Sequence, residues 1–259
     1  MITTVLPAAA AAVALLMFAT WLVSLARKDA SLVDIVWGSA FVLVAAVVAL
    51  VGEGAESRRL LLLAMVAIWG LRLSTYLAWR NLGHGEDYRY QAMRKKYGDR
   101  FPLVSLVVVF GLQAVLVLVV SLPVQLAATA AQPEGLGPLA AFGVALWLLG
   151  LAFETIGDAQ LARFKADPAN KGLVMDQGLW RYTRHPNYFG DFCVWWGIFV
   201  VAAETGPGRW GVVGPLVMSF LLLRVSGVAM LEKTIGKRRP GYAEYVANTS
   251  SFFPRPPKR

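Results

Sequence analysis

Apolar and polar positions in this chain fall into blocks rather than alternating. Residues 1–26 carry no charged side chain, and neither do residues 103–133. Blocks of this length meet or exceed the roughly 20 apolar residues a helix needs to cross the hydrocarbon core. Seven spans are expected, over about 4–26, 32–51, 60–80, 103–127, 137–160, 188–203 and 210–232. The sixth is the shortest. In lipid the backbone must satisfy its own polar groups, so each block predicts a helix. Breaks rich in Gly, Pro and polar residues separate the blocks, as at Gly52–Ser57, Pro133–Pro138 and Gly206–Arg209. The expected fold is an all-α integral membrane protein with seven transmembrane helices, forming one membrane-embedded domain over 1–259.

Composition agrees with this pattern. Of 259 residues, 57% are hydrophobic and 16% charged, with a mean hydropathy of +0.56. A soluble domain would carry more charge. No basic residue precedes Arg27, so the first block does not read as a signal peptide. The lone Cys193 excludes an internal disulfide and lies in an apolar run, where it reads as a packing residue.

The formal charge of +9 raises the question of nucleic acid, and its distribution answers it. Lys and Arg number two in 27–31, six in 80–102, five in 163–187 and seven in the tail from Lys233. The intervening loops hold only Arg58, Arg59 and Arg209, and Arg72 and Arg224 fall inside spans. The positive-inside rule then sets the N-terminus outside and the C-terminus in the cytoplasm. The expected partners are the bilayer and a lipophilic small molecule, with no nucleic acid; oligomeric state is left open.

Ionisable residues within spans are costly and point to function. Here they are Asp34, Arg72, Glu154, Asp158, Asp191, Arg224 and Glu232. On the expected topology all seven lie in the cytoplasmic half of the bilayer, which predicts a polar cavity opening to the cytoplasm. Glu154 and Asp158 are four apart and share a helix face, which Lys165 continues; Arg224 and Glu232, eight apart, share another. The structural alternative is that these charges pair to lock the bundle, or snorkel to the interface.

The densest chemistry lies in Gly178-Leu-Trp-Arg-Tyr-Thr-Arg-His-Pro-Asn-Tyr-Phe-Gly-Asp191. Arg181, Arg184 and His185 stand beside Tyr182 and Tyr188 just before a helix. Forked guanidinium donors suit phosphate oxygens, aromatic rings stack on a flat heterocycle, and Pro186 opens a helix whose free N–H groups favour an anion. Asn187 and Asp191 follow four apart on that helix. A juxtamembrane loop that only meets lipid headgroups would not need the aromatics, Asn and Asp. The loop Arg80–Tyr90, with Asn81 and Tyr88, and the tail Glu232–Tyr245, with Lys237, Arg238 and Arg239, share this character; an ordinary solvated loop and simple membrane anchoring are their plainer readings. Gly206-Pro-Gly-Arg-Trp-Gly211 spells a dinucleotide fingerprint but follows no strand, so it is discarded. The two histidines, His84 and His185, lack ligand-spaced partners, and no metal site is expected.

Taken together, these segments resemble the steroid 5α-reductase superfamily, and within it a bacterial-type branch, the domain-of-unknown-function 1295 family. The pattern is carried by Ser31-Leu-Val-Asp-Ile-Val-Trp-Gly38, Trp69-Gly-Leu-Arg72, Arg80-Asn81 with Gly85–Tyr90, Gly178–Asp191, and Ser226-Gly-Val with Leu231-Glu232. The resemblance implies seven helices in a bacterial inner membrane and NADPH entering from the cytoplasm. By motif position, Asn187 and Asp191 would hold the nicotinamide end. Glu154, Asp158 and Lys165 would line the cofactor. Arg80, Asn81 and Tyr88 would touch phosphates, and Arg224 matches an arginine of the last helix. The second helix has Val33-Asp34 where steroid reductases carry a Gln-Glu pair, and Trp69 stands near the place of their tyrosine, so the steroid grip does not carry over. Small membrane methyltransferases, such as isoprenylcysteine carboxyl methyltransferases, share a similar Arg-His-Pro-X-Tyr segment.

The expected activity is NADPH-dependent reduction of a conjugated carbon–carbon double bond in a lipophilic substrate. The developing enolate oxygen needs a donor. Asp34, kept protonated by apolar surroundings, is the first candidate and Tyr76 the second; Asp34 as a plain helix cap is the alternative. Arg181, Tyr182, Arg184, His185, Asn187, Tyr188, Asp191 and Glu232 complete the expected cofactor site. The runner-up is an S-adenosylmethionine-dependent methyltransferase, although those enzymes tend to have paired glutamates where this chain has Leu231-Glu232. A non-enzymatic lipid-binding protein is the third reading.

Overall fold

The computed structural model describes residues 2–225, 227–228, 232 and 239–258. Among the described residues the chain is helical, with no strand. Helices α1 (Ile2–Arg27), α2 (Leu32–Val51) and α3 (Glu56–Asn81) match the first three expected spans. Next come α4 (Tyr88–Tyr97), α5 (Phe101–Ser105), a π-helical stretch Leu106–Gly111 and α6 (Leu112–Val120). Together they form a 33-residue helical run, Tyr88–Val120. The expected fourth span, 103–127, therefore begins earlier and breaks at Ser121, whose hydroxyl turns back on the Val117 carbonyl (2.6 Å) before the short α7 (Leu122–Ala127). Then follow α8 (Pro138–Ala166), α9 (Pro186–Ala202), a 3-10 stretch Pro207–Val212 and α10 (Val213–Phe220), which continues into π-helical Leu221–Val225.

Among the described residues, six helical runs are long and apolar enough to cross a membrane: α1, α2, α3, Tyr88–Val120, α8 and Pro207–Val225. The sixth expected span is present as α9, but at 17 residues it reaches only ~26 Å at 1.5 Å per residue. That is short of the ~30 Å hydrocarbon core. The expected end of the seventh span runs into 226 and 229–231, outside the described residues, as do Lys237 and Arg238 of the tail.

The chain divides into two compact units, Met1–Ala140 with Ile198–Gly214, and Ala141–Gly197 with Pro215–Arg259. In the first, α2 and α3 cross at glycines. A Cβ on Gly38 would fall 2.4 Å from the Gly70 carbonyl oxygen, and one on Gly70 would fall 2.6 Å from that of Gly38. Such small residues let backbones approach where the solvent, being lipid, offers no hydrophobic drive between helices. Beside this crossing Phe41 and Trp69 meet edge to face at 5.5 Å, and Ser74 Oγ accepts from the Ser39 N–H (2.9 Å) and contacts Ser39 Oγ (3.0 Å).

In the second unit α8 and α9 run antiparallel along a glycine ladder. A Cβ on Gly197 would meet the Gly143 carbonyl oxygen at 2.6 Å, one on Gly150 that of Gly190 at 2.5 Å, and one on Gly157 the ring of Pro186 at 3.2 Å. This register sets residues 154 and 158 of α8 against 187 and 190 of α9.

Candidate functional site

The glycine ladder brings together acids and an amide that the sequence separates by about thirty residues. Glu154 and Asp158 are buried on α8, and Asp191 is buried on α9. Asn187 Nδ2 donates to Asp158 Oδ1 at 3.2 Å, while its own Oδ1 accepts the N–H of Tyr188 (3.1 Å). The i, i+4 spacing of Glu154 and Asp158, and of Asn187 and Asp191, thus produces one polar patch on the facing sides of two apolar helices. Such a patch presents carboxylate acceptors and an amide donor to a polar ligand group.

The Arg-His-Pro segment leads into this helix pair, and its charged groups face the chain's own tail. Arg184 is buried. Its Nε and one terminal nitrogen reach Glu232 Oε1, each at 2.8 Å. Its other terminal nitrogen donates to the carbonyls of Thr249 (2.5 Å) and Val246 (3.2 Å). Five forked donors are the reason an arginine can hold a carboxylate and two carbonyls at once. His185 Nε2 lies 3.3 Å from the same Glu232 oxygen, and its ring stacks on Tyr188 at 5.5 Å with 8° between planes. Arg184, expected to grip phosphate, is instead the clamp for the tail; its donors are spent on Glu232 and main-chain carbonyls. Trp180 Nε1 donates to the Gly157 carbonyl (3.0 Å), and Tyr245 Oη to the Trp180 carbonyl (2.5 Å). Phe252 and Phe253 close on Phe189 and Phe192 at 5.6–6.1 Å.

Arg181 and Tyr182 remain exposed, the latter by 45%. Lys165, on the last turn of α8, and Arg224, in the π-helical stretch, are also exposed. These cations, not Arg184, are the groups presented outward.

In the first unit, the start of α2 is knotted to the loop before α4. Asp34 accepts Arg89 at 2.6 Å on Oδ2 and the Tyr90 hydroxyl at 2.8 Å on Oδ1. Both carboxyl oxygens of Asp34 are thus engaged, one by the Arg89 guanidinium and the other by the Tyr90 hydroxyl. The capping alternative is set aside: Ser31 occupies the N-cap position, and Asp34 lies within the first turn of α2. Ser31 Oγ accepts the Asp87 N–H (3.0 Å) and contacts Asp29. Glu86 takes Arg94 through two bonds (2.8 and 3.0 Å) and the N–H of Ala30 (2.9 Å). Burial raises the Glu86 carboxyl pKa, but Arg94 and the Ala30 N–H outweigh it and hold it below the usual carboxylate range. Asp87 is lowered likewise: burial pushes it up, and Arg89 more than compensates.

Tyr76 lies on α3 between two cations, with the Arg72 and Arg80 guanidinium carbons 5.7 and 5.6 Å from its ring centroid. Arg80 Nε donates to Asn81 Oδ1 (3.0 Å), and Tyr88 is 60% exposed. The i, i+4, i+8 spacing of Arg72, Tyr76 and Arg80 puts the three on one helix face, a grouping the sequence reading did not draw; nor did it pair Arg89 and Tyr90 with Asp34, although it singled out the loop holding them.

The last cluster lies at the other end of α3. Arg58 is 1% exposed. It donates to the carbonyls of Pro133 and Gly135 (2.8 Å each) and to Glu204 (3.0 Å). Glu204 also accepts the N–H groups of Gly137 (3.2 Å) and Ala140 (2.8 Å), capping α8. Burial raises the Glu204 carboxyl, but those N–H groups and Arg58 prevail and hold it below its ordinary value. An open cavity of about 500 Å³ beside it is lined by Pro133, Leu136, Pro138, Leu139, Glu204 and Arg209, among others. No local signal announced this pair, which spans 146 positions.

A profile of the family described as Protein of unknown function (DUF1295) matches residues 20–249, and the chain belongs to this family. The chain is also similar to an uncharacterized protein of Schizosaccharomyces pombe, with 26% identity over 268 residues, covering 91% of this chain and 75% of that protein. No solved structure matches it.

Proposed function

We propose that this chain is an NADPH-dependent reductase of a conjugated carbon–carbon double bond in a lipophilic substrate. The observation that carries the reading is the group of buried Glu154, Asp158 and Asp191 with half-buried Asn187, set on the facing sides of α8 and α9. Buried carboxylates and an amide inside apolar helices carry a desolvation cost that packing alone does not offset. The set fits the cofactor's chemistry: Asn187 and the acids offer donors and acceptors to a carboxamide, and the exposed Lys165 and Arg181 offer cations to phosphates. NADPH, when bound, supplies the hydride. Asp34 and Tyr76 are the candidates to donate to the substrate oxygen, with Asp34 positioned by Arg89 and Tyr90. The reading includes seven spans, an outside N-terminus, a cytoplasmic C-terminus, a bacterial inner membrane, and kinship with the steroid 5α-reductase superfamily.

One observation favours a second reading. Arg184 is withdrawn from the supply of phosphate-binding cations, while Glu154 and Asp158 have the sign that suits a sulfonium. That is the pattern for S-adenosylmethionine and a methyltransferase. Calorimetric titration of the detergent-purified protein with NADPH, NADH and S-adenosylmethionine decides between them. The reductase reading expects NADPH to bind at least ~10-fold more tightly than S-adenosylmethionine, about 1.4 kcal/mol, and more tightly than NADH. Binding of S-adenosylmethionine with no response to NADPH overturns it. Binding of none of the three promotes the lipid-binding reading.

A further inference from the structure

The tail lies in register along the segment that precedes α9. The Arg184 N–H donates to the Ser250 carbonyl (2.9 Å), Thr183 Oγ1 to the Phe252 carbonyl (2.8 Å), and the Arg255 N–H to the Tyr182 carbonyl (3.0 Å). The two stretches therefore run antiparallel, 182 to 184 beside 255 to 250. The register is fixed from beneath by the Arg184–Glu232 clamp and by Phe252 against Phe189 and Phe192.

At its open end this register sets two arginines together. Arg181 adjoins Tyr182 in sequence, and Arg255 is bonded to Tyr182 through its main chain. Both arginines are exposed, and among the described residues neither forms a salt bridge. Both side chains leave neighbouring points of the paired main chains, and among the described residues neither is matched by a carboxylate. An anion with several oxygens can take forked donors from both arginines. The half-exposed ring of Tyr182 adds a flat face beside it.

We infer that Arg181 and Arg255, with Tyr182, form a phosphate-binding site that the docked tail completes, and that its occupant is a phosphate group of NADPH. The occupant rests on the reductase reading; the anion site does not. Arg184 contributes as a positioning residue, because it fixes the tail that carries Arg255.

The test compares full-length protein with Arg255→Ala, Arg255→Lys and Arg181→Ala. The Arg255 bond to Tyr182 uses the main chain, so alanine leaves the register intact; unchanged protease resistance of the tail checks this. Two probes are titrated: NADPH, and inorganic pyrophosphate alone. Arg255→Ala is expected to weaken both by about tenfold or more, the scale of a lost charged hydrogen bond, with partial recovery in Arg255→Lys. Equal pyrophosphate affinity in parent and Arg255→Ala overturns the site. Pyrophosphate binding that depends on Arg255, in a parent that ignores NADPH, supports the site and fails the reductase reading instead. Repeating the pyrophosphate titration in nanodiscs of phosphatidylcholine and of phosphatidylglycerol separates the sources: competition by phosphatidylglycerol, with NADPH unaffected by Arg255→Ala, assigns the site to lipid headgroups and overturns the stated occupant.

Discussion

Asn187 Nδ2 meets Asp158 Oδ1 at 3.2 Å, joining α9 to α8 at the end of the glycine ladder. The contact is donor to acceptor, so the sign of the side chain at 187 decides whether the helices hold together there. Asn187→Ala removes one donor and is expected to cost about 1 kcal/mol, the usual net value of a hydrogen bond. Asn187→Asp places a second carboxylate against the first and is expected to cost more, because like charges at contact repel strongly in a low dielectric. Unfolding midpoints in detergent rank the three proteins. An Asp variant as stable as the Ala variant rules the contact out.

The ladder itself is a tighter constraint. A methyl on Gly150 or Gly190 would sit within about 2.6 Å of a backbone carbonyl, and backbone cannot yield as a side chain tip can. Gly150→Val is therefore expected to lower stability by roughly 1–3 kcal/mol, the cost of overpacking, and to weaken binding of whichever ligand the acid–amide patch holds. Gly206→Ala is the control, since a Cβ there meets nothing within 4 Å. Equal midpoints for the two variants would mean that α8 and α9 do not pack through these glycines.

These two clusters differ in how far the sequence foretold them. Glu154 with Asp158, and Asn187 with Asp191, sit four apart in helices whose apolar blocks are unmistakable, so the shared faces follow from helical periodicity. Arg72, Tyr76 and Arg80 have the same spacing, but were singled out separately and not as one face. The role of Arg184 was not: its partners are the carbonyls of residues 246 and 249 and the carboxylate of Glu232. A main-chain carbonyl is the same at every position and leaves no mark in the sequence. Asp34 was legible as an intramembrane acid, yet its partner Arg89 lies 55 positions away. Arg58 was counted as an ordinary loop cation because nothing near it in sequence points to Glu204.

If Arg184 is a clamp, losing it should free the tail before it harms the bundle. Arg184→Ala leaves Glu232 without its cation and frees the carbonyls of Val246 and Thr249. The expected outcome is rapid proteolytic loss of a C-terminal tag under conditions where the parent keeps it, with helix content unchanged by circular dichroism. Arg184→Lys keeps the charge but not the fork, and is expected to fall between the two. A tail equally protected in all three proteins would show that Phe252 and Phe253 hold it alone.

The Asp34–Arg89 contact can be weighed by a double-mutant cycle over Asp34→Asn and Arg89→Gln. Both side chains are partly exposed, at 21% and 36%, so screening limits the coupling to about 1 kcal/mol. A coupling energy indistinguishable from zero would mean that the two groups act independently. If it is a positioning residue, Asp34→Asn should also leave NADPH affinity near that of the parent.

Glu204 makes the sharpest pH prediction. Its carboxylate accepts the N–H groups of Gly137 and Ala140 and pairs with Arg58, whose side chain is 1% exposed. These bonds hold its folded pKa below the ordinary value despite the opposing pull of burial. A depressed folded pKa means that the unfolded chain takes up the proton first. The stabilisation is then fully present above the unfolded value of about 4.3. It is lost as pH falls through the lower folded pKa. Below that point Arg58 becomes a buried cation without its counter-charge, and breaking a buried pair from one side costs roughly 3–5 kcal/mol. The unfolding midpoint of the parent is therefore expected to hold steady from pH 7 to pH 5 and to drop steeply below pH 4.3. Glu86, lowered by Arg94 and the Ala30 N–H, contributes to the same drop, so the comparison that isolates Glu204 is the variant. Glu204→Gln should be less stable than the parent at pH 7 and should close much of that gap at pH 3.5. A gap that stays constant with pH would mean that Glu204 contributes through its shape and hydrogen bonds, with no part played by its charge.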